Sequence, residues 1–206
     1  MFRISLISLA TAALLPGCAA LSALGGGSLD VYDLAAPADA PVARRTVSRQ
    51  MVVELPTAPG VLMTDRILIR PRPLQAQYLP DGSWATETPE MMQTLIVRTL
   101  ENSNAFRYVG RRPLGSYGDY VLVSELTDLQ AEVQPEGAGD GATVRVRLMA
   151  RLVRESDASV LGSRSFTASV PVATTETIDV VEGLNDATQE MLRQLSSWVL
   201  STTGVR

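Results

Sequence analysis

The sequence predicts an α+β domain: a mixed, largely antiparallel sheet with two main helices packed on one face. Three observations carry that expectation. Residues 143–153 alternate with a strand period, Val144, Val146, Leu148, Ala150 and Leu152 pointing one way and Arg145, Arg147 and Arg151 the other. Two segments, opening at Thr88 and near Thr177, place apolar residues at helical spacing. The helices are far apart in sequence with strands between them, the pattern of strands and helices segregated into layers.

Taken in order, Val31-Tyr32-Asp33-Leu34 reads as a short strand, and the Ala- and Pro-rich residues 35–43 as a loop. Residues 51–55 form a strand ended by Pro56 and Pro59. Residues 67–70 and 74–78 are two further strands, broken by Pro71 and Pro73, and Pro80-Asp81-Gly82 is a turn signal. In the first helix Thr88 is the expected cap, Pro89 suits the first position and Glu90 complements the dipole. Met91, Met92, Leu95, Ile96, Thr99 and Leu100 share its inner face, and residues 102–104 stop it. Residues 119–129 form a strand, and its start, Tyr120 to Val123, is apolar on both faces, which places it centrally. Residues 143–153 and 160–170 make a long hairpin turning at 155–158, with Phe166, Ala168 and Val170 facing inward. The last helix carries the stripe Val180, Val181, Leu184, Ala187, Met191, Leu195, Trp198 and Val199, with Gly204 past its end.

Composition removes several kinds of chemistry. The 206 residues include no His, and all 18 basic residues are Arg. Catalysis through Ser-His-Asp or Cys-His, Ser-Lys dyads and Schiff bases is therefore excluded, and a zinc site would lack its usual ligands. No pair of carboxylates asks for acid–base work. No enzyme activity, cofactor or metal is expected. The net charge is −4, and −5 without the segment holding Arg3. That argues against nucleic acid, which is bound through a basic footprint.

The N-terminus is more informative. Met1-Phe2-Arg3 is a short positive region, and residues 4–15 are an apolar run too short to span a bilayer. Leu15-Pro16-Gly17-Cys18 then resembles a bacterial lipobox, with Pro16 in place of the commoner Ala, Ser or Thr. In that chemistry the Cys18 thiol takes diacylglycerol, and cleavage after Gly17 frees an amine for a further chain, so the expected attachment is covalent lipid, palmitate included. Two or three acyl chains hold a protein on a membrane where one holds it only marginally. The chain has one Cys, so no disulfide within it is possible. Ala19, where enteric inner-membrane lipoproteins carry Asp, favours the inner leaflet of the outer membrane, facing the periplasm. The expected organisation is a signal peptide over residues 1–17, a lipidated tether over 18–30, one periplasmic domain over 31–201 and a tail over 202–206. The ten residues 19–28 reach roughly 17 Å as a flexible chain.

Other motifs have plainer readings. Gly25-Gly26-Gly27 lacks the Lys and Ser/Thr of a phosphate loop and reads as linker. Residues 137–141 are Gly-rich but lie between two strands, a hairpin loop rather than a nucleotide site, and Glu136 and Asp140 lack the spacing of a calcium loop. Arg44-Arg45 with Arg49, and Arg111-Arg112, suit a solvated surface, with contact to anionic headgroups or an acidic partner as the functional reading. Trp84, between a turn and a helix, suits either core packing or partner contact. Arg66 is a second candidate contact.

An ordered series of landmarks along the mature chain resembles the ABC-type transport auxiliary lipoprotein family, the PqiC-like group. They are Tyr32-Asp33-Leu34, Val52 to Pro56 with Ala58-Pro59, Asp65-Arg66-Ile67, Gln77-Tyr78 with Trp84-Ala85, Pro89, and Leu100 to Ser103. Asp119 to Leu122, the 144–152 strand, Arg164-Ser165-Phe166 and the Trp198 helix complete the set. The resemblance implies an outer-membrane partner of an MCE transport system. There an inner-membrane ABC permease and ATPase work with a periplasmic MCE protein that passes phospholipid or other hydrophobic cargo. It also implies homo-oligomeric rings. A regulatory lipoprotein that activates a cell-wall synthase is the alternative, and ten tether residues are few for crossing a cell wall.

Overall fold

Apolar residues at strand and helix spacing can leave water only by stacking a helical layer on a sheet, and the chain does so. A computed structural model describes residues 29–135, 137 and 139–205. The strands are β1 (Asp30–Tyr32), β2 (Val47–Val53), β3 (Arg66–Arg70), β4 (Gln77–Trp84), β5 (Phe106–Gly110), β6 (Tyr120–Val133), β7 (Ala142–Arg154) and β8 (Ser159–Val172). The helices are α1 (Thr88–Asn102) and α2 (Thr177–Thr203), with a 3-10 turn over Gly60–Leu62. The expected class, an α+β fold with a mixed sheet and two helices, is the observed one.

The 14-residue β6 organises the sheet. One edge pairs antiparallel with β7, which pairs in turn with β8. The other edge accepts two short parallel partners in line: β2 from Met51 opposite Tyr120, and β3 from Leu68 opposite Gln130. Between them Thr57 bridges to Glu125, its N–H donating to Ser124 O at 3.0 Å and its carbonyl accepting from Leu126 N at 2.8 Å. Pro56 and Pro59 flank it; with no N–H to donate they keep this stretch from becoming a continuous strand. β5 joins β2, β4 joins β3 antiparallel and β1 joins β4 parallel.

The alternation read for β7 is its observed burial. Val144, Val146, Leu148, Ala150 and Leu152 are fully buried under the helices. On the opposite face Arg145 meets Glu132 at 2.9 Å and Arg147 meets Asp128 at 3.3 Å. Met91, Met92, Leu95, Ile96 and Leu100 of α1 join Val180, Leu184, Ala187, Met191 and Leu195 of α2 in one core. Each such leucine- or methionine-sized side chain contributes about 1.5–3 kcal/mol on burial. Gly204 ends α2 in the left-handed conformation at φ 71°.

Several expectations need correction. Residues 80–82 lie inside β4, not in a turn. Gly82 is needed there for closeness: a Cβ on it would sit 2.7 Å from Thr177 Cγ2 and 3.0 Å from the Tyr32 ring. The strand expected at 74–78 starts only at Gln77, and Leu74 has φ 66° and is fully exposed. Thr88 does not cap α1; its hydroxyl donates to Thr64 O at 2.9 Å, and Glu87 holds the cap position without a side-chain bond. β1 ends at Tyr32, and Leu34 is buried beyond it. β5 was not expected at all. The tail expected from 202 is shorter, because α2 runs to Thr203 and Val205 is buried.

Candidate interaction site

The expected lipid attachment residue Cys18, its lipobox Leu15, Pro16 and Gly17, and Ala19 lie outside the described residues. What the structure does place is where the chain enters the domain and what stands at the other end. Entry is at Asp30, in register with Gly82, which abuts Thr177 at the start of α2. From there the segment after β1 follows α2: Ala35 N donates to Asn185 Oδ1 at 3.0 Å, and Arg193 Nε donates to Asp39 Oδ1 at 2.8 Å. It ends beside the last turns of α2, where Pro41, Val42 and Arg44 with Ser197, Leu200 and Ser201 line a shallow hollow of about 280 Å³.

Four arginines gather at that end. Arg44 and Arg45 precede β2 and are exposed. Arg49 on β2 donates to Asp119 Oδ1 at 2.7 Å. Arg107, on the β5 strand beside β2, is exposed and acts on Asp119 through its charge. Partial burial raises the Asp119 pKa, but hydrogen bonds from the Arg49 guanidinium and the Gln50 N–H outweigh it and hold the carboxyl below its ordinary value. The Arg49 guanidinium is raised in turn by its bond to Asp119.

The other expected contacts fare differently. Trp84 is 3% exposed and packs in the core, so its indole is not available to a partner; the partner-contact reading gives way to the packing one. Arg66 is partly buried. Its Nη2 donates to Leu79 O at 3.0 Å, and its buried Nε has no partner among the described residues. It ties β3 to β4 more than it reaches outward. Arg111 clamps α1, donating to Gln93 Oε1 at 3.0 Å and Thr94 Oγ1 at 2.8 Å. Arg112 stays exposed. The Gly-rich loop joins β6 to β7 as a hairpin, with Gly137 at φ 91° and Gly139 at φ 113°.

The pairing of Arg49 with Asp119 and the proximity of Arg107 are not legible in the sequence, since only the strand order brings β2, β5 and the start of β6 together. Among the described residues no group of three His, Cys, Asp or Glu side chains is placed to hold a metal. Nor is any helix there long and apolar enough to cross a membrane.

This fold is shared by solved proteins. The protein XCC0632 of Xanthomonas campestris is similar at a TM-score of 0.72 and 25% identity, over 86% of this chain and 97% of that one. A second crystal structure, of an uncharacterised protein, matches at 0.62 and 14% identity over 84% of this chain and 99% of its own. The model of the ABC-type transport auxiliary lipoprotein component family matches residues 32–196, and the chain belongs to that family. An uncharacterised Bradyrhizobium diazoefficiens protein, bll6063, is 27% identical over 173 residues, 82% of this chain. The chain spans only 44% of that relative's length.

Proposed function

We propose that the protein is an outer-membrane-anchored lipoprotein that works by binding. It docks a periplasmic MCE protein and links that protein, with its inner-membrane ABC permease and ATPase, to the outer membrane for transfer of phospholipid or another hydrophobic cargo. The observation that carries this reading is the family match over residues 32–196, preceded in the sequence by Leu15-Pro16-Gly17-Cys18. The first supplies the auxiliary role in ABC-type transport. The second supplies a thiol for covalent lipid and so a membrane address.

Binding without catalysis suits the residues present: no His or Lys is available as base or nucleophile. The homo-oligomeric rings that the family resemblance implies suit such a role, several copies in cyclic symmetry each using the same surface. The test is crosslinking in cells with the full-length lipoprotein. Recovery of the MCE protein is the expected result. Recovery of a peptidoglycan synthase with no MCE component would assign the chain to cell-wall regulation instead.

A further inference from the structure

We propose that the end of the domain opposite its N-terminal entry is the docking face, built to receive an acidic protein surface that carries one apolar side chain. The inference rests on the transport reading above and names the surface through which it acts.

Helix α2 measures the domain. Thr177 stands beside Gly82, the register partner of Asp30 where the chain enters. Ser201 stands beside Arg44, across the hollow. The helical residues between them, at about 1.5 Å each, put roughly 36 Å between entry and rim. With Cys18 as the expected lipid attachment, about twelve residues before Asp30 in sequence, the membrane lies on the entry side and the rim at the far end of α2 faces the periplasm.

Charge divides along the same axis. The first half of α2 and its cap bring Glu176, Asp179, Glu182 and Asp186, and the helix has no basic residue before Arg193. The far end brings Arg44, Arg45, Arg49 and Arg107, all exposed, beside the Asp119 carboxylate; Glu155 lies next to it, its own carboxylate accepting from Gly118 N. Only Arg49 bonds to Asp119 directly; the side chains of Arg44, Arg45 and Arg107 make no hydrogen bond or ion pair among the described residues. In a chain of net charge −4 this rim runs against the overall balance. Such a local field steers a partner of opposite sign and fixes its orientation.

The hollow adds shape. Pro41, Val42 and Leu200 give it apolar walls, Ser197 and Ser201 supply hydroxyls, and Arg44 stands at its edge. An apolar anchor in a small pocket with charges around it is how binding energy concentrates at protein interfaces. An anionic lipid surface would use the arginines but not the hollow, which favours protein.

The test uses the full-length lipoprotein in membranes and the periplasmic region of the MCE protein as probe. Arg44→Glu, Arg45→Glu and Arg107→Glu are combined in one variant. The same three positions as Lys form the charge-preserving control, and Arg72→Glu, in the β3–β4 loop, is a charge reversal away from the rim. The triple Glu variant should lose capture by about 10-fold or more, with the Lys variant and Arg72→Glu retaining it, and wild-type capture should fall as salt rises. Equal capture by wild type and the triple Glu variant would overturn the rim while leaving the transport reading standing. No capture by wild type would overturn both. If the triple variant instead loses only binding to phosphatidylglycerol vesicles, the rim is a membrane contact and the proposal fails.

Discussion

The indole of Trp198 meets the Phe166 ring edge-on, with centroids 5.5 Å apart and planes inclined by 62°. Arg164 covers the same phenyl ring at 5.3 Å. The contact seats the end of α2 on β8, whose outer edge pairs with no other strand among the described residues. Gly162 makes room for it, since a Cβ there would lie 3.3 Å from Trp198 Cζ2. Trp198→Ala should destabilise the domain by about 2–4 kcal/mol, the cost of vacating a large, partly buried aromatic site. Denaturant unfolding of Trp198→Ala, Phe166→Ala and the double variant should give a coupling of about 0.5–1.5 kcal/mol. Additive losses would mean that the two rings do not support each other.

Gly183→Ala should destabilise, although alanine is the better helix former by about 1 kcal/mol. Its Cβ would fall onto Val172 Cγ1 and within 3.2 Å of Val144 Cγ2. Overpacking of that kind costs about 1–3 kcal/mol, more than the propensity gain. Adding Val172→Ala should recover the loss. A thermal melt in which Gly183→Ala alone unfolds at a higher temperature would show that the helix stands farther from the sheet than described.

How much of this was legible in the sequence depends on which force shapes each element. β7 and α2 were readable because each has one face in water and one in the core, so their periods survive in the residue types. β5 was not readable: Phe106 to Gly110 is five residues long and carries its pattern on too few positions. The turn read at Pro80-Asp81-Gly82 failed because Gly82 answers to the approach of Thr177 and Tyr32, residues distant in sequence. Arg44-Arg45 with Arg49 was visible as a cluster. Its completion by Arg107 and Asp119 was not, because it depends on β2 running between β5 and β6.

Asp119 gives the stability a defined pH dependence. Its folded-state pKa lies below the ordinary value, the Arg49 and Gln50 hydrogen bonds outweighing burial. The stabilisation is therefore present above the unfolded carboxylate pKa of about 3.9 and is lost as pH falls through the lower folded value. Asp119→Asn should cost about 1 kcal/mol at pH 7, a magnitude suited to charge-assisted bonds at a partly exposed site. In urea unfolding followed against pH, the gap between wild type and variant should close as acid protonates the native carboxyl. A gap that stays constant down to pH 2 would show that the charge contributes nothing.

The lipid anchor predicts a clean response at one atom. Cys18→Ala removes the thiol that would carry diacylglycerol, so the variant should be recovered uncleaved or soluble, and its mass should lack the acyl chains. Mass spectrometry of protein extracted from membranes reads both points. An unchanged mass and undiminished membrane retention would sink the lipobox reading.

The central claim, an anchored lipoprotein joining a periplasmic MCE protein to the outer membrane, is tested most directly by where the joined pair sits. Cells expressing both proteins would be crosslinked, and their envelopes separated on a sucrose density gradient. The account predicts an adduct of the lipoprotein with the MCE protein that bands with outer-membrane markers and disappears from them in Cys18→Ala. An MCE adduct found wholly with inner-membrane markers, or none in any fraction while the lipoprotein itself sits in the outer membrane, would contradict it.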